Sequence, residues 1–209
     1  MLIICCSGEW IIFTGNQIGS ILGAASFEKA IASGKKAGKV IVYVHKPKLI
    51  IFCIEQIAMV ASTVSSKFLA RMAEVEGFRF EEALTGFKWI GNTAMRLEKE
   101  GYSVVFSYEE AIGFTIGDIV KDKDGVSALG FFSEWAVQLY KRGLTAYEYL
   151  EELYKKYGYF VSENSYFICD DKEKIKRIFE RIRFGTDKKD DSSKVKIIKV
   201  SLFIILIII

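Results

Sequence analysis

Two adjacent carboxylates, Glu109 and Glu110, follow a short stretch of β-branched and aromatic residues at Ser103–Ser107. In open α/β sheets, ligands bind beyond the carboxyl ends of the strands, so acidic side chains placed there can meet a ligand. Carboxylate oxygens accept hydrogen bonds from neighbouring hydroxyl groups, which is the pattern that a sugar ring presents. In a turn that ends at Gly113, both carboxylates could converge. A pair of acids in a solvated loop is the alternative interpretation.

A second candidate is the turn Thr85-Gly86-Phe87-Lys88-Trp89, which comes after one predicted strand and before a predicted helix. Glycine lets the backbone approach a ligand closely, and the start of a helix supplies free N–H groups. Together with the ammonium group of Lys88, these features suit a phosphate. The alternative is a turn with an ordinary solvated lysine.

Metal-ligand patterns are missing from the sequence. The segment Asp118–Gly125 resembles a calcium loop, but Val120 and Phe131 would fall at its first and last positions, and neither side chain can bind calcium. With one histidine and four cysteines that form no C-x-x-C pair, no zinc site of the usual Cys/His kind can be assembled. We therefore predict no metal ligands in this chain.

The composition indicates one mainly globular domain with a packed core. Of the 209 residues, 51% are hydrophobic and 26% are charged, so disorder is not expected. The net charge of +3 is too small and too evenly spread for the basic surface that nucleic-acid binding requires. The adjacent Cys5 and Cys6 are poorly placed to pair and there is no glycosylation sequon, which favours a cytoplasmic protein.

Apolar spacing along the chain predicts strands that alternate with helices, and hence a layered α/β domain. The predicted helices are Gln17–Ile31, Ser66–Glu76, Ile90–Glu100, Gly125–Arg142, Ala146–Tyr157 and Lys172–Arg183. The predicted strands are Met1–Cys6, Phe78–Leu84, Ser103–Ser107 and Tyr159–Cys169, with two further strands or a hairpin around Pro47.

Several helix ends carry capping signals. Asn16, Ser65 and Asp124 are candidate N-caps, either Asp170 or Asp171 can cap the last helix, and Thr145 with Glu148 forms a capping box. Glycines recur every fourth residue at Gly15, Gly19 and Gly23. Because their flanks are polar, we interpret this spacing as close packing of the helix on a sheet or on backbone near the ligand, and not as a membrane dimer face.

The two chain ends are apolar. Met1–Cys6 has no basic region before it and is interrupted early by Glu9, so we predict a strand and not a signal peptide. As a helix, the tail Val200–Ile209 would rise about 15 Å, which is half of a roughly 30 Å hydrocarbon core. We interpret it as a β-prone tail or an aberrant gene end, with a tail that dips into a membrane as the less favoured alternative.

Five short motifs occur in one order along the chain, namely Phe13-Thr-Gly-Asn-Gln-Ile-Gly19, Ala73-Glu-Val-Glu-Gly-Phe78, Leu84-Thr-Gly-Phe-Lys-Trp-Ile-Gly-Asn92, Ser107-Tyr-Glu-Glu-Ala-Ile-Gly-Phe114 and Asp122-Lys-Asp-Gly-Val-Ser-Ala128. Together they resemble the third domain of the α-D-phosphohexomutase superfamily, in the branch of phosphoglucomutase-2 and the phosphopentomutases. The resemblance implies a phosphosugar as the small-molecule partner. The substrate-binding residues it implies are Thr85, Gly86, Lys88, Glu109, Glu110 and Gly113. Ala111 stands where many hexose mutases have serine, which resembles the pentomutase branch.

In this family, a phosphoserine in a T-A-S-H-N-P-like loop transfers its phosphoryl group to the sugar and back. The complete enzyme uses Mg²⁺, held by a D-x-D-x-D-R-like loop, and a sugar bisphosphate. Neither loop is found in this sequence, and nor is the R-x-S-G-T-E-P-like phosphate clamp, which Gly185-Thr-Asp-Lys188 imitates only in part. No catalytic residue is therefore assigned to this chain.

The resemblance implies a fragment of a larger mutase. Residues 1–157 would be the third domain, an α/β domain with a mixed sheet sandwiched between helices and with an atypical insertion at 39–60. Residues 158–184 would begin a partial α+β C-terminal domain, and residues 185–209 would be a charged linker and apolar tail. We expect the sugar-binding portion of a phosphoglucomutase or phosphopentomutase of carbohydrate metabolism, inactive alone. A non-catalytic module that binds a phosphosugar or a partner mutase is the alternative.

Overall fold

The computed structural model describes residues 2–6, 9–37, 56–162 and 168–184. The chain divides into two compact units, residues 1–162 and 163–209, which are described separately. The strands of the first unit are β1 (Leu2–Cys6), β2 (Glu9–Phe13), β3 (Gln56–Ser62), β4 (Arg79–Ala83), β5 (Tyr102–Glu109) and β6 (Gly113–Ile116). Its helices are α1 (Gly15–Ala32), α2 (Phe68–Glu76), α3 (Phe87–Lys99), α4 (Gly125–Lys141) and α5 (Ala146–Tyr157), and the second unit contains α6 (Lys172–Phe184).

Four strands form a mixed sheet in the order β4-β3-β5-β6. β3 runs parallel to both β4 and β5, whereas β6 pairs antiparallel with β5. β1 and β2 form a separate antiparallel pair. Every residue of β3 after Gln56 is buried, because this strand has neighbours on both sides and helices over both faces.

Helices cover both faces of the sheet, as the sequence predicted. On one face, Ile57, Met59 and Ala61 of β3 join a large core with residues of α1, α2, α4 and α5. On the other face, Ala58 and Val60 pack in a smaller core that α3 closes; its members from α3 are Phe87, Ile90, Ala94 and Leu97. The alternation of β3 side chains between the two cores follows from the two-residue period of a strand.

An irregularity in β5 sets which way its last side chains point. Ala58 pairs with Val104 and Met59 with Phe106, so Val105 is an extra residue in the ladder. Val104 belongs to the core on the α3 face, whereas Phe106 and Tyr108 belong to the larger core. By alternation Glu109 then falls on the α3 side of the sheet.

The structure confirms the predicted helices within a few residues, and α5 has the predicted bounds and begins at its capping box. Thr145 Oγ1 accepts a hydrogen bond from Glu148 N at 3.2 Å, and the Glu148 carboxylate accepts one from Thr145 N at 2.8 Å. Asp124 caps α4 as predicted, since its carboxylate accepts hydrogen bonds from the backbone N–H groups of Val126 and Ser127. Gly77 ends α2 in the left-handed conformation, with φ of 81°.

The predicted N-caps of α1 and α2 are wrong. Thr14, not Asn16, caps α1, and it forms a reciprocal capping box with Gln17. Ser65 does not cap α2, whose N-cap is Lys67 without a side-chain bond. Both mispredicted side chains are instead engaged in contacts between different segments, which the order of residues along one helix does not reveal.

Two predicted boundaries near the candidate site also shift. α3 begins at Phe87 and not at Ile90, so Lys88 lies in the first turn of a helix and not in the preceding turn. The predicted turn that ends at Gly113 is the tip of a hairpin in which Glu109 pairs with Gly113. The cause is the antiparallel β6, whose pairing extends β5 beyond the predicted end at Ser107.

In the second unit, Asp171 caps α6 as one of the two predicted residues, since its carboxylate accepts hydrogen bonds from Glu173 N and Lys174 N at 3.0 Å. The predicted strand Tyr159–Cys169 is wrong for its described residues, which are neither helix nor strand. A strand needs a neighbour to satisfy its backbone, and none of the described strands pairs with this segment.

Other predictions fall outside what the structure describes. The hairpin around Pro47 and most of the proposed insertion lie in residues 38–55, although residues 56–60 belong to β3. The charged linker and apolar tail lie in residues 185–209, also outside the described ranges. Within the described ranges, no helix has the length and apolar character needed to cross a membrane.

Candidate functional site

Polar groups from several segments meet at the carboxyl edge of the sheet. The end of β3 contributes Ser62, the β3–α2 loop contributes Ser65, the β4–α3 turn contributes the backbone N–H of Gly86, and the β5–β6 hairpin contributes Glu109 and Glu110. Because parallel strands end at the same edge, loops that are far apart in sequence become neighbours here. This is the part of an open α/β sheet where ligands bind.

Glu109 connects the hairpin to the first turn of α3. Its Oε2 accepts a hydrogen bond from the backbone N–H of Gly86 at 3.0 Å. Gly86 has φ of 104°, a conformation that favours glycine, and it precedes a helix that has no side-chain N-cap. The carboxylate therefore supplies negative charge at the start of α3, and the described hydrogen bond uses only one of its two oxygens.

Glu110 makes its contacts with a different loop. Its Oε2 accepts a hydrogen bond from Ser62 Oγ at 2.9 Å and a longer one from Ser65 Oγ at 3.4 Å. The two serine hydroxyls also lie 2.7 Å apart, so the three groups form a closed cluster. The two predicted carboxylates thus lie on one hairpin but bond to two different segments, Glu109 to the start of α3 and Glu110 to the serines after and at the end of β3, and they do not converge on one partner.

A second polar cluster lies beneath the hairpin. Asn16 Oδ1 accepts a hydrogen bond from Ser66 N at 2.8 Å and is 3.4 Å from the hydroxyl of Tyr108. Tyr108 is fully buried, and burial raises the pKa of its phenol far above the ordinary value, so the hydroxyl stays protonated. These bonds join the start of α1 to the β3–α2 loop and to β5.

The glycines of α1 pack closely against this edge, which confirms the predicted packing role. A Cβ atom at Gly15 would lie 2.0 Å from the carbonyl oxygen of Glu110, and one at Gly19 would lie 2.4 Å from the ring of Tyr108. At Gly23, a Cβ atom would lie 2.6 Å from Leu69 of α2. The repeat therefore brings the helix backbone against the hairpin, the end of β5 and α2.

Gly113 and Phe87 bring the hairpin and α3 together. A Cβ atom at Gly113 would lie 2.7 Å from the ring of Phe87 and 2.9 Å from Cγ of Glu109. Only a residue without a side chain leaves room for that ring and for the Glu109 side chain. Gly113 thus lies next to Glu109 and has a packing role there.

Lys88 and Thr85 are both exposed. The ammonium of Lys88 lies 5.8 Å from the centre of the Trp89 ring, within reach of a cation–π interaction. Among the described contacts, no ion pair joins Lys88 to Glu109 or Glu110. The hydrogen bond from Gly86 N brings the start of α3, where Lys88 lies, to Glu109, while the ammonium itself remains available to solvent or to a ligand.

The tip of the hairpin contains backbone strain. Ile112 has φ of 65°, and it is the only non-glycine residue with positive φ in the described ranges. A β-branched side chain is strongly disfavoured in this conformation, and three-residue hairpin loops usually have glycine there. The side chain is half exposed, so little burial compensates for the strain.

Ile112→Gly is expected to stabilise the chain by about 1 kcal/mol, since removal of left-handed strain of roughly 1–2 kcal/mol exceeds the added entropy of an unfolded glycine. Urea unfolding followed by circular dichroism measures the change. Ala111→Gly is the matched control, because Ala111 is also exposed but has no positive φ. Equal midpoints for the two variants would contradict the strain assignment.

The described residues do not fit a magnesium site. No three Asp, Glu, His or Cys side chains gather in the described part of the chain in a way that could hold a metal ion. Of the acids at the site, Glu110 is engaged with two serines and Glu109 with Gly86. We therefore assign no step of a reaction here to a metal.

Sequence reasoning missed the serines and asparagine of the site. Ser62 ends β3, and Ser65 and Ser66 follow it, just as Glu109 ends β5 and Glu110 follows it. The same rule about carboxyl ends therefore applies to the serines. Asn16 and Ser65 have residue types that are typical of helix caps, and the sequence alone does not show that their side chains join different segments.

An α/β unit with polar side chains at the carboxyl edge of a mixed sheet is a fold class that binds small molecules. Residues 14–157 match the family described as phosphoglucomutase/phosphomannomutase, alpha/beta/alpha domain III. The chain belongs to this family, and the match confirms the resemblance predicted from the five motifs.

Similar proteins include human phosphopentomutase, which is 41% identical over 177 residues, with 85% of this chain and 27% of the relative covered. Mouse glucose 1,6-bisphosphate synthase is 44% identical over 85% of this chain and 26% of its own length. Yeast phosphoribomutase (Saccharomyces cerevisiae) is 40% identical over 85% of this chain and 26% of its own length. The chain thus spans about a quarter of the length of the curated relatives it matches.

A solved structure described as a putative phosphomannomutase from Thermus thermophilus has the same fold. The superposition covers 72% of this chain and 27% of that one, with a TM-score of 0.51 and 19% identity. At this identity the likeness concerns the fold alone, and it confirms the mixed α/β architecture.

Proposed function

We propose that the first unit of this chain binds a phosphorylated monosaccharide at the carboxyl edge of its sheet. The observation that carries the proposal is the hydrogen bond that Gly86 N donates to the Glu109 carboxylate. This bond joins the acidic hairpin to the start of α3, where Lys88 lies. The names of the similar proteins, phosphopentomutase, phosphoribomutase and glucose 1,6-bisphosphate synthase, support a sugar phosphate as the ligand class.

The two ends of such a ligand would meet different groups. Glu109 has one oxygen fixed by Gly86 and a second that can accept hydrogen bonds from sugar hydroxyls. The exposed ammonium of Lys88, in the uncapped first turn of α3, would attract the phosphate. Thr85, Gly86 and Gly113 would border the site. A side chain at Gly86 would strain the backbone, and a side chain at Gly113 would collide with Phe87 and Glu109.

In a complete relative we propose that this unit serves reversible intramolecular phosphoryl transfer on glucose or pentose phosphates, an isomerase reaction of carbohydrate metabolism in the cytoplasm. Such an enzyme would also use magnesium, which other parts of it would hold, and a sugar bisphosphate. The phosphoserine, metal and phosphate-clamp motifs are not found in this sequence. We therefore propose binding without turnover for this chain alone.

Isothermal titration of the 209-residue chain with ribose 1-phosphate and glucose 1-phosphate tests the binding proposal. Heat of binding is expected for both compounds at millimolar or lower ligand concentration. Orthophosphate is expected to bind more weakly, because it lacks the sugar hydroxyls that would donate hydrogen bonds to Glu109. The absence of heat with both sugar phosphates at millimolar concentration would overturn the proposal.

A coupled mutase assay tests the expected lack of turnover. With glucose 1-phosphate, magnesium and glucose 1,6-bisphosphate, the chain is expected to give no rate above background, since phosphoryl transfer depends on groups that hold and neutralise the transferring phosphate. A rate above background that disappears in Glu109→Ala would show that this chain is itself a mutase.

A further inference from the structure

The cluster of Glu110 with Ser62 and Ser65 is closed on itself and largely removed from solvent. Ser62 and Ser65 are 1% and 4% exposed. Their hydroxyls have two protons for three close oxygen–oxygen contacts, namely the two bonds to Glu110 and the contact between the serines. Carboxylate oxygens accept, so the hydroxyl of Ser62 can donate to Glu110 at 2.9 Å while the hydroxyl of Ser65 donates to Ser62 or to Glu110.

The same residue is held through its backbone as well. The carbonyl oxygen of Glu110 lies against Gly15, where a Cβ atom would approach it to 2.0 Å. The hairpin tip is therefore fixed by α1 through the backbone of Glu110 and by the β3–α2 loop through its side chain. Glu109 is the preceding residue, and its own carboxylate reaches the Gly86 N–H on the α3 side.

We infer that Glu110 is a positioning residue, with Ser62 and Ser65 as its partners, and that Glu109 alone of the two acids faces the ligand. The inference rests on the proposed function. It assigns ligand contact to Glu109 and a supporting role to Glu110, whereas the sequence resemblance implied ligand contact for both. The serine cluster holds the tip of the hairpin at the β3–α2 loop, and this keeps Glu109 in place to accept hydrogen bonds from the sugar.

A first experiment needs no ligand. In a ¹⁵N-labelled chain, the amide resonance of Gly86 reports the hydrogen bond to Glu109. Glu110→Ala and the double variant Ser62→Ala/Ser65→Ala are expected to shift this resonance upfield, and Glu110→Gln is expected to leave it nearly unchanged because its amide oxygen can still accept from the serines. Glu109→Ala, which removes the acceptor, gives the reference for complete loss.

A second experiment measures affinity for ribose 1-phosphate. Glu110→Gln is expected to bind within about threefold of the unchanged chain, whereas Glu109→Gln is expected to bind about tenfold or more weakly, as for loss of a hydrogen bond to a charged group. Glu110→Ala is expected to weaken binding, and the further change Ser62→Ala/Ser65→Ala is expected to add little to it, because the residues act as one unit.

The outcomes separate this inference from the binding proposal. If the chain binds no sugar phosphate, the proposed function fails, and the Gly86 resonance still decides whether Glu110 positions Glu109. A Gly86 resonance that does not move in Glu110→Ala or in the serine variant would overturn the positioning role. Equal losses of affinity in Glu110→Gln and Glu109→Gln would instead make Glu110 a direct ligand contact and would also overturn it.

Discussion

Gly15→Ala is expected to lower the stability of the chain by about 1–3 kcal/mol, the usual cost of forcing an extra methyl group into a packed site. The added Cβ would lie 2.0 Å from the carbonyl oxygen of Glu110 and 3.3 Å from Ile112 N. Both atoms belong to backbone and cannot rotate away as the end of a side chain could. Either α1 or the hairpin must therefore move.

Gly130→Ala is the matched control, with an effect of opposite sign. Gly130 lies inside α4, and nothing lies within 4 Å of the position a Cβ would take. Alanine there is expected to stabilise the helix by roughly 0.5–1 kcal/mol, because it restricts the unfolded chain and favours the helix. Urea unfolding of the two variants measures both changes. A Gly15→Ala variant as stable as Gly130→Ala would contradict the close packing of α1 on the hairpin.

The elements that the sequence predicted well are those fixed by local contacts. The Thr145–Glu148 capping box defines the start of α5, because both of its bonds lie within one helical turn. The spacing of Gly15, Gly19 and Gly23 predicted close packing correctly, although the partners could not be named from spacing. What each glycine touches depends on sheet order, which brings Tyr108 and Glu110 beside α1.

The elements that the sequence mispredicted depend on contacts between distant segments. Asn16 has a good residue type for a cap, yet its side chain is bound to Ser66, 50 positions away. The antiparallel pairing of β6 extends β5 to Glu109, and neither strand alone indicates that pairing. The segment after α5 is rich in strand-forming residues, but its described part has no neighbouring strand, and β propensity has little effect without one.

The candidate site shows the same division. The rule that ligands meet the carboxyl ends of strands found Glu109, Glu110 and the turn at Gly86 from sequence, and the structure places all three at that edge. The hydrogen-bond partner of each carboxylate could not be predicted, because the neighbouring loops lie only a few ångströms apart and the sequence does not fix which of them each side chain reaches. The partner of each carboxylate determines which of the two acids can still accept a hydrogen bond from a ligand.

Glu109→Gln is expected to weaken the binding of ribose 1-phosphate by about tenfold or more, because hydrogen bonds to a charged group contribute about 1.5–3 kcal/mol. The glutamine keeps the size of the side chain and an oxygen that can accept from Gly86 N, so the hairpin remains attached to α3. The change therefore removes the charge and leaves the packing. Isothermal titration measures the affinity, and thermal unfolding checks that the fold is intact.

Two comparisons make this prediction specific to the sugar. Glu134→Gln on α4, which removes an exposed acid paired with Lys29, is expected to leave affinity unchanged. Orthophosphate, which has no sugar hydroxyls, is expected to lose no affinity in Glu109→Gln, whereas Lys88→Met is expected to weaken both ligands, since the ammonium would attract their common phosphate group. If Glu109→Gln and Lys88→Met affect the two ligands equally, the carboxylate acts through the general electrostatics of the α3 start and not by accepting hydrogen bonds from a sugar.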